Sequence, residues 1–417
     1  MYVEALAVPR ALPTVRARAA SPWAVAAIVA LVYSLLLLPG LIRNPFEFIH
    51  IGSKFRDQAA TSSVIKHSLY SDDRVGYDGQ FYYFLAADPS HGPDYIESPG
   101  TIASRIGYPM TVRALSGGNA SVVPYIMVIV NILAAAGGTL AVAFFLRRHG
   151  LSPAFAFLYG FFPGLMVAVL RDLTEPLAFA LAAAGLVVFS ARSNWRLLLS
   201  AVLFALAMLT RETVALYPAI LTVALLIGVG SASRWRERIR VSNVLRAVAF
   251  GAIAAVPLFA WRHVVAIWLS HPAIQEYPAS GPAHGFIYAL VPFHALVARV
   301  PSGENITNFL VVVVPALIWA WIAIKTLRRK LSIEPWFVLA NVLVFVVWLP
   351  TPVAVDYGSM GRAAIGIVLG ILAMLPRLID WLRDDPRRVQ AALALWSLPV
   401  YLVVATLLNA IGPALIW

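Results

Sequence analysis

Five short segments of this chain combine carboxylates, guanidinium groups and aromatic rings, side chains that can accept a proton, hold an anion and stack against a flat face. The first is Gly76-Tyr77-Asp78-Gly79-Gln80-Phe81-Tyr82-Tyr83, followed by Ala87-Asp88-Pro89. Tyr77 and Tyr82 supply stacking faces, Asp78 and Gln80 supply hydrogen bonds, and the glycines let the backbone approach a ligand closely. The plain alternative is an aromatic belt at a membrane surface with incidental acids. Arg105-Ile106-Gly107-Tyr108-Pro109 is the second, and its arginine suits a phosphate or a carboxylate. The third, Arg171-Asp172-Leu173-Thr174-Glu175-Pro176, reads in part as a helix start, with Thr174 or Asp172 as cap and Pro176 in the first turn. Capping leaves Arg171 and Glu175 unexplained. The fourth, Leu209-Thr210-Arg211-Glu212-Thr213, sets Arg beside Glu, which a structural ion pair would also explain. Asp356-Tyr357-Gly358-Ser359-Met360-Gly361-Arg362 adds one more Asp and Arg.

The elements that must position these residues are apolar. Of 417 residues 60% are hydrophobic and 12% charged, half the charged share of a soluble domain at about 25%, so lipid is the main solvent. Apolar runs lie near 23–42, 122–146, 152–170, 174–190, 196–209, 213–230, 243–268, 308–324, 335–350, 363–379 and 389–411. They predict an all-α transmembrane bundle of about eleven spans, within a range of 9–13. The whole chain reads as one transmembrane domain, with 43–121 as a long first loop that carries short interfacial helices. The first run reads as a retained anchor and not as a cleaved signal.

If every run crosses, the basic residues sort by side. Twenty of the 32 Lys and Arg fall in the N-terminal stretch and in alternate short loops, and seven more in the 43–121 loop. The opposite short loops hold only Arg171, Arg211, Arg262, Arg299 and Arg362. The positive-inside rule then puts the N-terminus in the cytoplasm and all five motif segments on the outer side. Sidedness accounts for the inner arginines. It does not account for acids at the outer ends of the spans, where short Asp and Glu side chains are costly unless paired.

Other chemistry is thinly represented. The chain has no cysteine, which excludes disulfides, thiolate metal sites and a cysteine nucleophile. His271, His284 and His294 match no metal-ligand spacing, and phosphate-binding glycine loops and a serine nucleophile elbow are missing. The net charge of +12 lies between apolar runs and forms no nucleic-acid-binding stripe.

The order and sidedness of the motifs resemble the GT-C class of membrane glycosyltransferases, in particular bacterial relatives of the lipid-anchor mannosyltransferases. The segment GYDGQFYYFLAADP supplies an acid in a long first outer loop. RDLTEPLAFAL is similar to the family's S/T-E-P/S-L turn, LTRETVAL to its T-R/K-E/S-T turn, and RIGYP to its Arg-x-x-Tyr-Pro element. These cover roughly residues 70–220; the second half matches in general topology only. The resemblance implies transfer of a mannose or another hexose or pentose from a polyprenyl-phosphate carrier to a glycan, lipid or protein acceptor. Asp78 would be the general base, with Asp72, Asp73 and Asp88 as rivals. Arg105, Arg171, Arg211 and Arg362 would hold the phosphate. Glu175 and Glu212 would orient those arginines or bind sugar hydroxyls, with Asp172, Tyr77, Gln80, Tyr82 and Tyr108 completing the donor site. Some relatives place a divalent cation, Mg or Mn, between carboxylates and phosphate, and these residues leave that open. A single base with no second carboxylate nucleophile implies inversion. The paired Asp-Glu of the protein O-mannosyltransferase type is absent from the first loop.

Two other classes compete. A transporter or flippase of a lipid-linked or anionic solute would carry charges near mid-span and repeated halves, neither of which this sequence has. A non-catalytic polysaccharide-assembly subunit would use the same acids merely as partners for arginines.

Overall fold

The computed structural model describes residues 20–59, 64–65, 76–96, 99–189, 193–227, 241–269, 312–329, 332–348 and 361–382. Helix α1 (Pro22–Arg43) leads through a 3-10 turn, Pro45–Phe48, to α2 (Ser53–Ala59), α3 (Gly79–Ala87), α4 (Pro99–Ala103) and α5 (Gly107–Ser116). Then come α6 (Val123–Arg148), α7 (Phe157–Gly160), α8 (Pro163–Leu170), α9 (Glu175–Val188), α10 (Asn194–Thr210) and α11 (Leu216–Ile227). The last four are α12 (Val241–Trp268), α13 (Val314–Arg329), α14 (Glu334–Trp348) and α15 (Ile365–Leu382). Among the described residues the one strand-type pairing is an isolated bridge between Ile51 and Gly76.

Local chemistry sets several ends. Pro22 opens α1 at a position whose N–H would have no helical partner. At the far end the Asn44 side chain accepts from the Phe46 N–H at 3.1 Å and turns the chain aside. α6 ends on Arg147 and Arg148, cations where the helix dipole is negative.

Pro22–Arg43, Val123–Arg148, Val241–Trp268 and Gly361–Ile379 are long and apolar enough to cross a membrane. The pair Pro153–Gly160 and Pro163–Leu170 adds a fifth if it counts as one span. The chain is thus an all-helical protein with four or five candidate membrane-spanning helices among its described residues. The run at 152–170 is not straight: it bends by 53° ahead of Pro163, which has no N–H to continue the ladder. The runs at 174–190, 196–209, 213–230 and 335–350 form apolar helices of 10–17 residues, about 15–26 Å long, against a hydrocarbon core of about 30 Å. Apolar composition continues through prolines and charged turns where the helix itself stops. The run at 389–411 lies outside the described residues.

α6 packs on α1 and α9, α10 joins α9 to α12, and α14 lies along α15. The span that opens at Gly361 is the most enclosed of the four, 78% buried, whereas α12 is 22% buried and turns Val248, Val256, Phe259 and Ile267 outward. The segment between α1 and α6 builds a smaller apolar core, from Ile49, Phe55, Tyr82, Tyr83, Phe84 and Tyr108, closed by Met127 of α6. That core seats α3 and α5 on one end of the bundle.

Candidate functional site

Asp78 stands just ahead of α3, and the backbone around it is held from two sides. The Tyr77 N–H donates to the His50 carbonyl at 2.8 Å, and the Gly52 N–H donates to Gln80 Oε1 at 2.9 Å. Gly76 takes a left-handed φ of 71°, where a side chain would also strike the His50 carbonyl and the Gly52 amide. On the other side Gly79 lies against the carbonyl of Arg171, so a Cβ there would part α3 from the α8–α9 turn.

The other charged motifs come to the same place. Arg362 Nη1 donates to Asp78 Oδ2 at 2.9 Å and lies 3.7 Å from Glu175 Oε1. Arg211 Nη1 is 3.0 Å from the same Glu175 oxygen and 3.3 Å from the Thr174 hydroxyl. Arg105 makes a two-pronged pair with Glu212, at 2.6 and 3.0 Å, and reaches the Tyr82 hydroxyl at 3.3 Å. The guanidiniums of Arg171 and Arg362 lie over the Tyr77 ring, 5.4 and 5.1 Å from its centre, within cation–π range. Arg171 also meets the His50 imidazole.

The exposure of these groups divides them by what they can do. Asp78 keeps 33% of its side-chain surface and Glu212 25%, whereas Glu175 keeps none. Asp78 and Glu212 can therefore meet a ligand, and Glu175 acts as the buried counter-ion that aims Arg211 and Arg362. Burial pushes the Asp78 carboxyl up, but Arg362, through charge and hydrogen bond, then Arg105 and Arg211, outweigh it and hold its pKa below the ordinary value. Asp78 is an anion at neutral pH.

Four of the expected donor contacts are placed otherwise. Asp172 and Tyr108 have no exposed surface, and Gln80 and Tyr82 have 1% each, the Tyr82 hydroxyl accepting from Arg105. Asp172 meets Asn131, Tyr108 donates to the Met127 carbonyl at 3.2 Å, and Gln80 holds Gly52. They build the wall of the site and do not present polar atoms to a ligand. Thr174 stands at the N-cap of α9 but makes no capping hydrogen bond with its side chain, which goes to Arg211 and Glu175 instead. Asp88 is turned to Ser90 and His91, at 2.7 and 3.2 Å, at the far end of α3. Asp72, Asp73, His271, His284, His294 and the 356–360 stretch lie outside the described residues. Two members had no place in the sequence reading. His50 is a lone histidine in a loop, without a pattern around it, whereas Asn131 carried a usable signal as a polar residue inside an apolar span.

The described carboxylates alone do not assemble a divalent-cation site. Asp78 and Glu175 already face the Arg362 guanidinium, and among the described residues no three His, Asp or Glu side chains gather around one point. A carboxylate shared with an arginine is a poor ligand for a hard cation.

No family model, curated protein or solved structure matches the chain.

Proposed function

We propose that this chain is a membrane glycosyltransferase similar to the GT-C class, transferring a sugar from a polyprenyl-phosphate carrier to a glycan, lipid or protein acceptor. The observation that carries the reading is the meeting of Asp78, a reachable anion, with the guanidiniums of Arg362, Arg211 and Arg105 at one end of the bundle. Together with Arg171, four arginines oppose the three carboxylates Asp78, Glu175 and Glu212, a surplus of positive charge suited to a phosphate leaving group.

In this reading the acceptor hydroxyl gives its proton to Asp78 as its oxygen bonds to the anomeric carbon. The bond from that carbon to the carrier phosphate breaks, and the arginines hold the phosphate that leaves. One displacement inverts the configuration. In this reading the shorter apolar helices also cross, together with their flanks, which gives about eleven crossings of the cell membrane with the N-terminus cytoplasmic and the site extracytoplasmic. A cell-envelope polymer or lipid is the natural product class. The transporter reading fits less well, because a passage needs charges along its length and these gather at one end.

The test is sugar release from a panel of radiolabelled polyprenyl-phosphate sugars by the protein in nanodiscs, with acceptor extracts, for wild type and Asp78→Asn. The amide retains the shape and an acceptor for Arg362. Turnover of one donor by wild type, reduced roughly a hundredfold or more in the variant, is expected for loss of a general base. Equal turnover by both would reject Asp78 as the base, and absence of donor binding and turnover would reject the transferase.

A further inference from the structure

Behind the exposed charges lies a second polar group that no ligand reaches. Asp172 and Asn131 are both fully buried, one in the α8–α9 turn and the other in the first half of α6. Asn131 Nδ2 donates to Asp172 Oδ1 at 3.4 Å and to the Tyr108 hydroxyl at 2.9 Å. Two atoms remain without a hydrogen-bond partner among the described residues, Asp172 Oδ2 and Asn131 Oδ1. Both are oxygens, one on each of two groups that the Nδ2–Oδ1 bond already joins. With an ionised aspartate neither has a hydrogen to offer the other. A single proton on Asp172 Oδ2 lets the carboxyl donate to Asn131 Oδ1 while Oδ1 accepts from Nδ2, the reciprocal pairing of an acid with an amide.

We infer that Asp172 is a neutral carboxylic acid sharing its proton with Asn131, and that this acid–amide pair is the positioning element that fixes the turn bearing Arg171 and Glu175.

The surrounding charges agree. Arg171 beside it turns its guanidinium to Tyr77 and His50, and Arg211 and Arg362 are occupied by Glu175. From α5 comes Tyr108 and from α6 Asn131, both uncharged at neutral pH; Tyr82 of α3 lies behind Tyr108 at a ring distance of 6.0 Å. Burial pushes the Asp172 carboxyl well above its ordinary pKa, and the Asn131 hydrogen bond only partly opposes this. The backbone at Asp172 is left-handed, φ 51°, a conformation that Asp and Asn tolerate and most residues do not. Asparagine is therefore the one replacement that keeps backbone, shape and a reciprocal pairing, now amide with amide.

The role in positioning rests on the transferase reading; the protonation state does not, and the experiment separates them. Infrared spectra of wild type and Asp172→Asn at neutral pH are compared for the carbonyl band of a neutral carboxylic acid, together with thermal stability and transfer rates. The expected result is a band that shifts in deuterated water and disappears in Asp172→Asn, with stability kept and activity within about threefold. Asn131→Asp alone places two carboxyls together, so its stability and activity fall as pH rises; the exchanged pair Asp172→Asn with Asn131→Asp restores both. No band in wild type, failure of Asp172→Asn to fold, or no rescue by the exchange overturns the inference. If no donor is turned over at all, the band and the thermal rescue still decide it.

Discussion

Arg362 Nη1 donates a 2.9 Å hydrogen bond to Asp78 Oδ2 across 284 positions of sequence, joining the start of a membrane span to the first loop. The same guanidinium faces Glu175, so one cation holds a reachable carboxylate and a buried one together.

In the proposed reading that bond sets the pH at which Asp78 serves as base. With Arg362 in place its pKa stays below the ordinary value, about 3.9 for Asp, and ionised Asp78 persists down through weakly acidic pH. Arg362→Gln removes the main opposing charge and leaves burial to act, which raises the pKa. The acid limb of the kcat/KM profile, followed from about pH 4 to pH 8, moves to higher pH in the variant.

Arg211→Ala leaves Glu175, without exposed surface, with the longer contact to Arg362 as its one charged partner among the described residues, beside the Thr174 hydroxyl. Breaking a buried pair in this way costs about 3–5 kcal/mol. Arg43 pairs with Glu47 in the open, with 75% of its side chain exposed, and Arg43→Ala changes stability by at most about 1 kcal/mol. Thermal unfolding in one detergent ranks the two; equal losses would refute the buried pairing.

Gly164 packs directly on the backbone of Gly361 and Arg362. Gly164→Ala drives a methyl group into that backbone, and overpacking of this kind costs about 1–3 kcal/mol. It also moves Arg362 away from Asp78, so transfer falls further than stability alone explains. A parallel Gly137→Ala, whose Cβ meets nothing within 4 Å, leaves both unchanged.

A carboxyl whose pKa is raised by folding stabilises fully below its unfolded value and loses that contribution as pH rises through the folded value. Asp172 is raised by burial, so wild type loses stability as pH rises from the ordinary carboxyl value through the folded one. Asp172→Asn has no such proton to lose, and its unfolding temperature lacks that component of the fall over the same range.

The gathering of charged groups was legible because acids at the ends of apolar runs are costly without partners, and the 171–176 and 209–213 turns carried that mark. The partners were not. Arg211 and Glu212 stand side by side in sequence and invite an ion pair, yet Arg211 goes to Glu175 and Glu212 to Arg105. Arg211 has an extended backbone, φ −158° and ψ 122°, and consecutive side chains of an extended segment point to opposite sides. The helical class was legible from composition, whereas the lengths of individual helices were not, since the break before Pro163 and the charged turns interrupt a hydrophobicity that continues on either side. Asn131 was passed over because one amide changes the mean character of a 26-residue helix very little.

Trp261 donates its indole N–H to the carbonyl of Ala103 at 2.9 Å, two residues before Arg105. It follows Val241 by twenty residues of α12, about 30 Å at 1.5 Å per residue, the thickness of a hydrocarbon core. With the start of α12 at one surface of the bilayer, Trp261 rests at the other, where indole rings are most at home. In the proposed reading the helix thereby sets the depth of the charged cluster beside it, level with the headgroups, where a carrier lipid would hold its phosphate and could come to Arg105 by sideways diffusion without leaving its layer.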